Sequence, residues 1–233
     1  MGVVAIKVEN RVLRKRRNYH SGKISYTPEY RRANIPGSSV FVTIVTHERA
    51  KLFSIPENID KLRQTCSIVM TEKPFTIDAA VILPEHIHFL WTLPPGDRDY
   101  SYRVGRMKVL FTRALRGVNN LPDDVCESRK KHRESDVWQR RNMRRFPPHM
   151  ISTRQRRFYE HTIRDEFDFR KHLDYLHFNP VKHGLVKCVH DWEYSSFHRG
   201  VRRGEYDIGW GCQCSGNVFT PAVTSLMNLE MGE

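Results

Sequence analysis

His86 and His88 flank Ile87 in the run His86-Ile87-His88-Phe89-Leu90-Trp91. In a strand, alternate side chains share a face, so both imidazoles point one way while Ile87, Phe89 and Trp91 point the other. Two imidazoles so placed can chelate one metal ion. The spacing alone is weak evidence: 12 histidines among 233 residues give about 0.6 such pairs by chance, and taken alone the pattern favours partly exposed strand histidines over a metal site. Further along, Asp168, His172, Tyr175 and Asn179 succeed one another at intervals of four, three and four. That rhythm puts all of them on one face of a helix, beside an apolar stripe of Phe169, Leu173 and Leu176. A tyrosine there is either a half-buried packing residue or a nucleophile. In the second case Asn179 offers an amide oxygen to the cation that the histidines hold.

Such groups need a scaffold. Residues 39–46 are β-branched and aromatic and read as a strand. Residues 56–70 open on a proline and repeat Ile59, Leu62, Cys66 and Val69 at helical spacing. Residues 75–83 and 86–93 form a hairpin about Pro84-Glu85, and 101–116 a second helix with Val104, Met107, Leu110, Phe111 and Leu115 on one side. The spacing predicts a late helix from 162 to about 178, stopped at Asn179-Pro180 because the residue before a proline avoids helical dihedrals. An extended segment at 192–198 follows. This order predicts an α+β sandwich with helices on an antiparallel sheet. The expected organisation is a basic extension over 1–27, one domain over 28–210 with a basic loop or insert at 117–157, and a loosely ordered tail over 211–233.

The chain carries 39 Lys and Arg against 26 Asp and Glu, a net of +13. Residues 1–32 have a net of +7 and residues 129–157 a net of +9, so the remainder is slightly acidic. A core with two basic appendages favours a polyanionic partner. The second stretch also interleaves Trp138, Phe146 and Phe158 with arginines, a mixture suited to stacking on bases while holding phosphates. The residues assigned to nucleic acid are Arg31, Arg32, Arg140, Arg141, Arg156, Arg157 and Lys182. No apolar run approaches the roughly 20 residues of a membrane span, and the basic N-terminus lacks a signal core. Five cysteines without framework spacing suit a reducing cytosol, and Cys212-x-Cys214, lacking a second pair, does not suggest zinc. A cytoplasmic, nucleoid-associated protein is expected, with no membrane partner and a monomer favoured over a dimer.

Glu85-His86-Ile87-His88, followed by Phe89-Leu90-Trp91-Thr92-Leu93-Pro94, resembles the histidine–hydrophobic–histidine (HUH) segment of single-tyrosine transposases, and specifically of the bacterial REP-associated tyrosine transposases. The resemblance extends to Phe158-Tyr159-Glu160-His161-Thr162-Ile163-Arg164-Asp165, to the run from His172 through Tyr175 and Asn179-Pro180 to Gly184, and to Asp191-Trp192-Glu193-Tyr194-Ser195-Ser196-Phe197-His198. Tyr30-Arg31-Arg32 with Pro36-Gly37 matches the family's opening. One departure stands out. Trp138-Gln139-Arg140-Arg141, contiguous with the Phe158 block in the family, is here separated from it by residues 142–157.

The resemblance implies a ferredoxin-like antiparallel sheet with the HUH motif on a central strand. It implies His86, His88 and Asn179 as ligands of Mg²⁺ or Mn²⁺, Tyr175 as the nucleophile, and single-stranded or hairpin DNA as substrate. Two imidazoles and an amide oxygen leave positions open for phosphate and water, unlike a closed zinc site. Attack on a phosphodiester by a phenol would yield a 5′-phosphotyrosine and a free 3′ hydroxyl, conserving the bond energy for rejoining. His172 and His177 are the candidate bases. The alternative is a regulator that binds hairpin DNA and has lost cleavage.

Overall fold

The computed structural model describes residues 35–116, 137–139, 158–212 and 221–232. Arg31, Arg32, Arg140, Arg141, Arg156, Arg157, Phe146 and Cys214 lie outside them. The elements run β1 (Ser39–Val45), α1 (Pro56–Glu72), β2 (Thr76–Ile82), β3 (His86–Thr92), α2 (Tyr100–Arg116), β4 (Tyr159–Thr162), α3 (Glu166–Lys182), α4 (Phe197–Arg202) and α5 (Pro221–Met227). The strands assemble in the order β2-β3-β1-β4, every neighbouring pair antiparallel. The βαββαβ succession and this order are those of a ferredoxin-like sheet, and the HUH residues occupy β3, one of its two central strands.

Alternation splits the apolar residues between two cores. On the upper face Val40, Val42, Ile44, Ile87, Phe89 and Trp91 meet α1 and α2. On the lower face Phe41, Val81 and Leu90 meet Leu173, Tyr175, Leu176 and Phe178 of α3. The register Val45↔His86 and Thr43↔His88 puts both imidazoles on the lower face with α3.

Three elements differ from the sequence reading. Helix α3 begins later and runs through Pro180 instead of stopping before it. Asp165 caps its start by accepting from the amide of Asp168 at 2.8 Å. An interior proline costs about 3 kcal/mol, but Phe178, Pro180 and Val181 are all buried, and their packing offsets it. The segment at 192–198 forms no named strand: it meets β2 at the Val81↔Ser195 bridge and the hydrogen bonds around it, and then turns into α4. The C-terminal tail is not loose where it is described: it forms α5, buries Leu226 and Met231 in the lower core, and its Met231 carbonyl accepts from the Thr43 hydroxyl.

The insert leaves the sheet edge in place. Trp138 bridges Thr46, Gln139 N donates to Val45 O at 2.9 Å, and Tyr159 pairs with Thr43. Residues 137–139 and β4 therefore flank β1 as two pieces of one edge, with residues 140–157 between them. Trp138 and Phe158 are buried in the upper core, where Trp138 packs 5.2 Å from Phe111 and its Nε1 donates to Lys108 O. Neither ring is available to stack on bases, which corrects the reading of that stretch. Cys188 and Cys212 are joined as a disulfide, a pairing that the spacing of the cysteines gave no sign of.

Candidate metal and tyrosine site

β3 and α3 bring together the four residues that the sequence singled out. His86, His88, Tyr175 and Asn179 are all at most 1% exposed. The two imidazole rings lie 4.8 Å apart, centre to centre, and the Tyr175 ring lies 5.6 Å from His88. Asn179, one helical turn beyond Tyr175, places its Oδ1 3.3 Å from His86 Nε2.

The hydrogen bonds behind the rings fix where their protons sit. Glu85 Oε1 lies 3.1 Å from His86 Nδ1, and a carboxylate only accepts, so Nδ1 carries a proton, which in the neutral ring leaves the lone pair on Nε2. Bonding to His86 holds the Glu85 carboxyl below its usual range, against the opposing effect of burial. At His88, Nδ1 lies 2.9 Å from Thr43 Oγ1, whose own proton goes to the Met231 carbonyl. The threonine oxygen must therefore accept from Nδ1, again leaving the lone pair on Nε2. Burial first, and the charges of His86, His183 and Lys182 next, hold His88 well below its ordinary value, so it is neutral near pH 7. Metal-binding histidines are typically oriented this way, by an acceptor on the far nitrogen. With the His86 ring neutral, its Nε2 and Asn179 Oδ1 face each other as two lone-pair atoms, an opposition that a cation between them relieves. The donor set fits a divalent ion and retains open positions.

The Tyr175 hydroxyl meets Lys182, seven residues on along the same helix, with Nζ 3.3 Å from Oη and 4.9 Å from the ring centre. Burial lowers the Lys182 pKa, and its ammonium also donates to the Leu229 carbonyl. The lysine assigned to nucleic acid thus stands beside the phenol. Sequence reasoning missed this role, although an interval of seven on a helix was a usable signal. It also missed Glu85, adjacent to the motif, and Thr43, whose position opposite His88 only the strand register reveals.

The two candidate bases stand elsewhere. His177 Nε2 lies 2.8 Å from Ser196 Oγ, and its ring packs on Phe197 and Tyr206. His172 donates through Nδ1 to Asp168 O at 2.7 Å and stacks on His161. Burial depresses them to about 4 for His172 and about 3 for His177. His161, Asp168 and His172 also cluster closely enough to hold a metal. Asp168, however, already accepts from His161 Nε2 at 2.8 Å and from the amide and Nε of Arg164 at 3.1 Å. Burial alone would raise its carboxyl, yet these donors bring it to about 2. A cation there would compete with an arginine, so the cluster is a brace at the start of α3.

A ferredoxin-like sheet with an HUH strand under a tyrosine-bearing helix marks the class of tyrosine transposases. No family model matches the chain. A REP-associated tyrosine transposase of Escherichia coli is 39% identical over 183 residues, covering 78% of this chain and 90% of that protein. A Haemophilus influenzae protein assigned to the same family is 40% identical over 185 residues, covering 78% and 92%. A solved structure of a REP-associated tyrosine transposase bound to a REP hairpin is 36% identical, covers 88% of this chain and 96% of its own, and superposes with a TM-score of 0.63. The chain belongs to the REP-associated tyrosine transposase family.

Proposed function

We propose that the protein cleaves and rejoins single-stranded DNA beside REP-type palindromic hairpins, with Tyr175 as nucleophile and His86, His88 and Asn179 as ligands of Mg²⁺ or Mn²⁺. The observation that carries this reading is the convergence of two oriented imidazoles, an amide oxygen and a phenol on one face of the sheet. The hairpin substrate class is carried over from the relative bound to a REP hairpin.

When bound, the cation would act as a Lewis acid, drawing charge from the scissile phosphate and its leaving oxygen. Everything else falls to the chain. The Tyr175 phenol gives up its proton to solvent water and Oη bonds to phosphorus. The bond from phosphorus to the 3′ oxygen breaks, and that oxygen takes up a proton as a free hydroxyl. Lys182, 3.3 Å from Oη, stabilises the phenolate as it forms. The 5′-phosphotyrosine keeps the energy of the bond it replaced, so attack by a 3′ hydroxyl reverses the step without ATP. Glu85 and Thr43 hold the two imidazoles in register throughout.

Incubation with a labelled hairpin oligonucleotide and Mn²⁺ or Mg²⁺ should give a covalent protein–DNA adduct that Tyr175→Phe abolishes. An undiminished adduct in that variant removes Tyr175 from the mechanism. Tight hairpin binding with no adduct under either cation leaves a hairpin-binding regulator in place of an enzyme.

A further inference from the structure

Outside the β3 site, the chain brings together a second set of ligand-type residues. Cys188, His190 and Cys212 place two sulfurs and one imidazole nitrogen within 4.8 Å of one another, the cysteines buried and the histidine half-buried. Cys188 and His190 come from the short turn that follows α3, and Cys212 comes from the end of the domain, 24 residues after Cys188. The thiols are joined as a disulfide. A disulfide, however, gives no role to the imidazole beside it.

We propose that the reduced chain binds one zinc ion at this place through the thiolates of Cys188 and Cys212 and the imidazole of His190. Thiolate and imidazole are the donors that zinc prefers, whereas the nitrogen–oxygen set at β3 suits harder cations. The histidine is already oriented. Its Nδ1 donates to the Ile208 carbonyl at 3.0 Å, so in the neutral ring the lone pair is on Nε2, where the ion would take the place of the Asp191 contact. The Asp191 carboxylate, 3.4 Å from Nε2, adds negative charge at the edge of the cluster. The fourth position goes to water or to a further ligand, and the proposal does not depend on Cys214.

The surroundings give the ion a mechanical purpose. Gly211, next to Cys212, has φ of 69°, and a Cβ there would meet Val189 at 2.7 Å and Phe178 of α3 at 3.2 Å. The two strands of chain that the ion would clamp thus close directly behind the helix bearing Tyr175 and Asn179. Reaching this state from the disulfide takes two electrons and two protons, supplied in the test by a phosphine, and binding releases the thiol protons to solvent.

The test uses the full-length chain, reduced with a phosphine under argon and freed of metal. Zinc titrated against a chromogenic chelator should bind at one equivalent per chain with thiolate affinity. Cobalt in its place should give thiolate-to-metal charge transfer in the near ultraviolet. His190→Ala should weaken zinc at least tenfold, Cys188→Ser and Cys212→Ser should abolish the charge-transfer band, and His86→Ala should leave it unchanged. The proposal is overturned if the reduced wild-type chain shows no such band, if it re-forms the disulfide in the presence of excess zinc, or if His190→Ala binds zinc as tightly as the wild type.

Discussion

Thr43→Val probes how the β3 histidines are held, at a residue that touches neither DNA nor metal. Thr43 is buried on β1, in register with His88, and its oxygen accepts the Nδ1 proton at 2.9 Å. Valine keeps nearly the same volume and removes only that acceptor and the bond to Met231. A buried N–H left without its partner costs about 1–3 kcal/mol, so the melting temperature should fall by several degrees. Losing the acceptor behind a ligating histidine costs about 10- to 100-fold in metal affinity, or roughly 1.4–2.7 kcal/mol. The two estimates overlap, as they should if one hydrogen bond underlies both. The assay is Mn²⁺ titration of the metal-free chain by electron paramagnetic resonance, with adduct formation followed across the same Mn²⁺ range. The midpoint should move up by that factor, saturating Mn²⁺ should restore the rate, and Thr43→Ser should behave as wild type. Deleting residues 221–233 removes the Met231 carbonyl but not Thr43, and should leave Mn²⁺ affinity intact. A folded Thr43→Val chain with an unmoved midpoint would refute the tautomer assignment at His88.

Lys182→Met should slow adduct formation about 10- to 100-fold at saturating metal while hairpin affinity changes less than about twofold; at 3.3 Å the full Coulomb energy is roughly 5 kcal/mol at an effective dielectric near 20, but solvent screens this half-buried group. A parallel loss of binding would make it a phosphate contact instead. Deletion of residues 221–233 should speed adduct formation, because Tyr175 is 1% exposed and Lys182 is tied to the Leu229 carbonyl; single-turnover kinetics at saturating DNA would decide, and an unchanged or slower rate counts against the tail as an obstruction. Acid should destabilise the fold in two stages, followed by urea unfolding at stepped pH. His172 and His177 are held neutral at about 4 and about 3, so the unfolded chain binds more protons below its ordinary histidine value of 6.5 and stability falls from there downward. Asp168, at about 2 against an ordinary 3.8, adds a loss only below pH 3.8. His177→Phe should remove part of the upper stage, and flat stability between pH 6.5 and 4 would contradict the assignment.

Much of the site could be read from the sequence because its signals are periodic. A strand's alternation was enough to put His86 and His88 on one face, and a helix's 3.6-residue turn to align Tyr175 with Asn179. What escaped the reading depends on long-range pairing. β4 is four residues long, and its collinear partner at 137–139 is separated from it by the insert, so no window contains a strand's worth of pattern. Thr43, Met231 and Lys182 acquire their roles only when β1, the tail and α3 meet. The stop expected at Asn179-Pro180 failed because burial of four consecutive residues outweighed a local preference. Trp138 was misread for a related reason: an aromatic among arginines looks exposed in sequence, and only its packing on Phe53 and Phe111 shows that it belongs to the core.

The division of charge follows from the chemistry. The proposed bond exchange at phosphorus would require the phenol, the ligands and the phosphate to be held in near-attack geometry, which a packed sheet and a buried helix supply. That core cannot also carry many unpaired arginines, since buried charge without a partner is costly. The two basic stretches, with nets of +7 and +9, stand apart in sequence from every residue of the site, and the rest of the chain is slightly acidic. Affinity for a polyanion rises with the number of phosphates neutralised and falls steeply with salt. Rate at saturating DNA, by contrast, depends on the geometry around β3 and α3. The insert between the two halves of the β1 edge can therefore gain or lose arginines without disturbing the ligands, because Thr46↔Trp138 and Thr43↔Tyr159 hold its ends. On the proposed function, hairpin affinity and bond chemistry therefore fall to different residues.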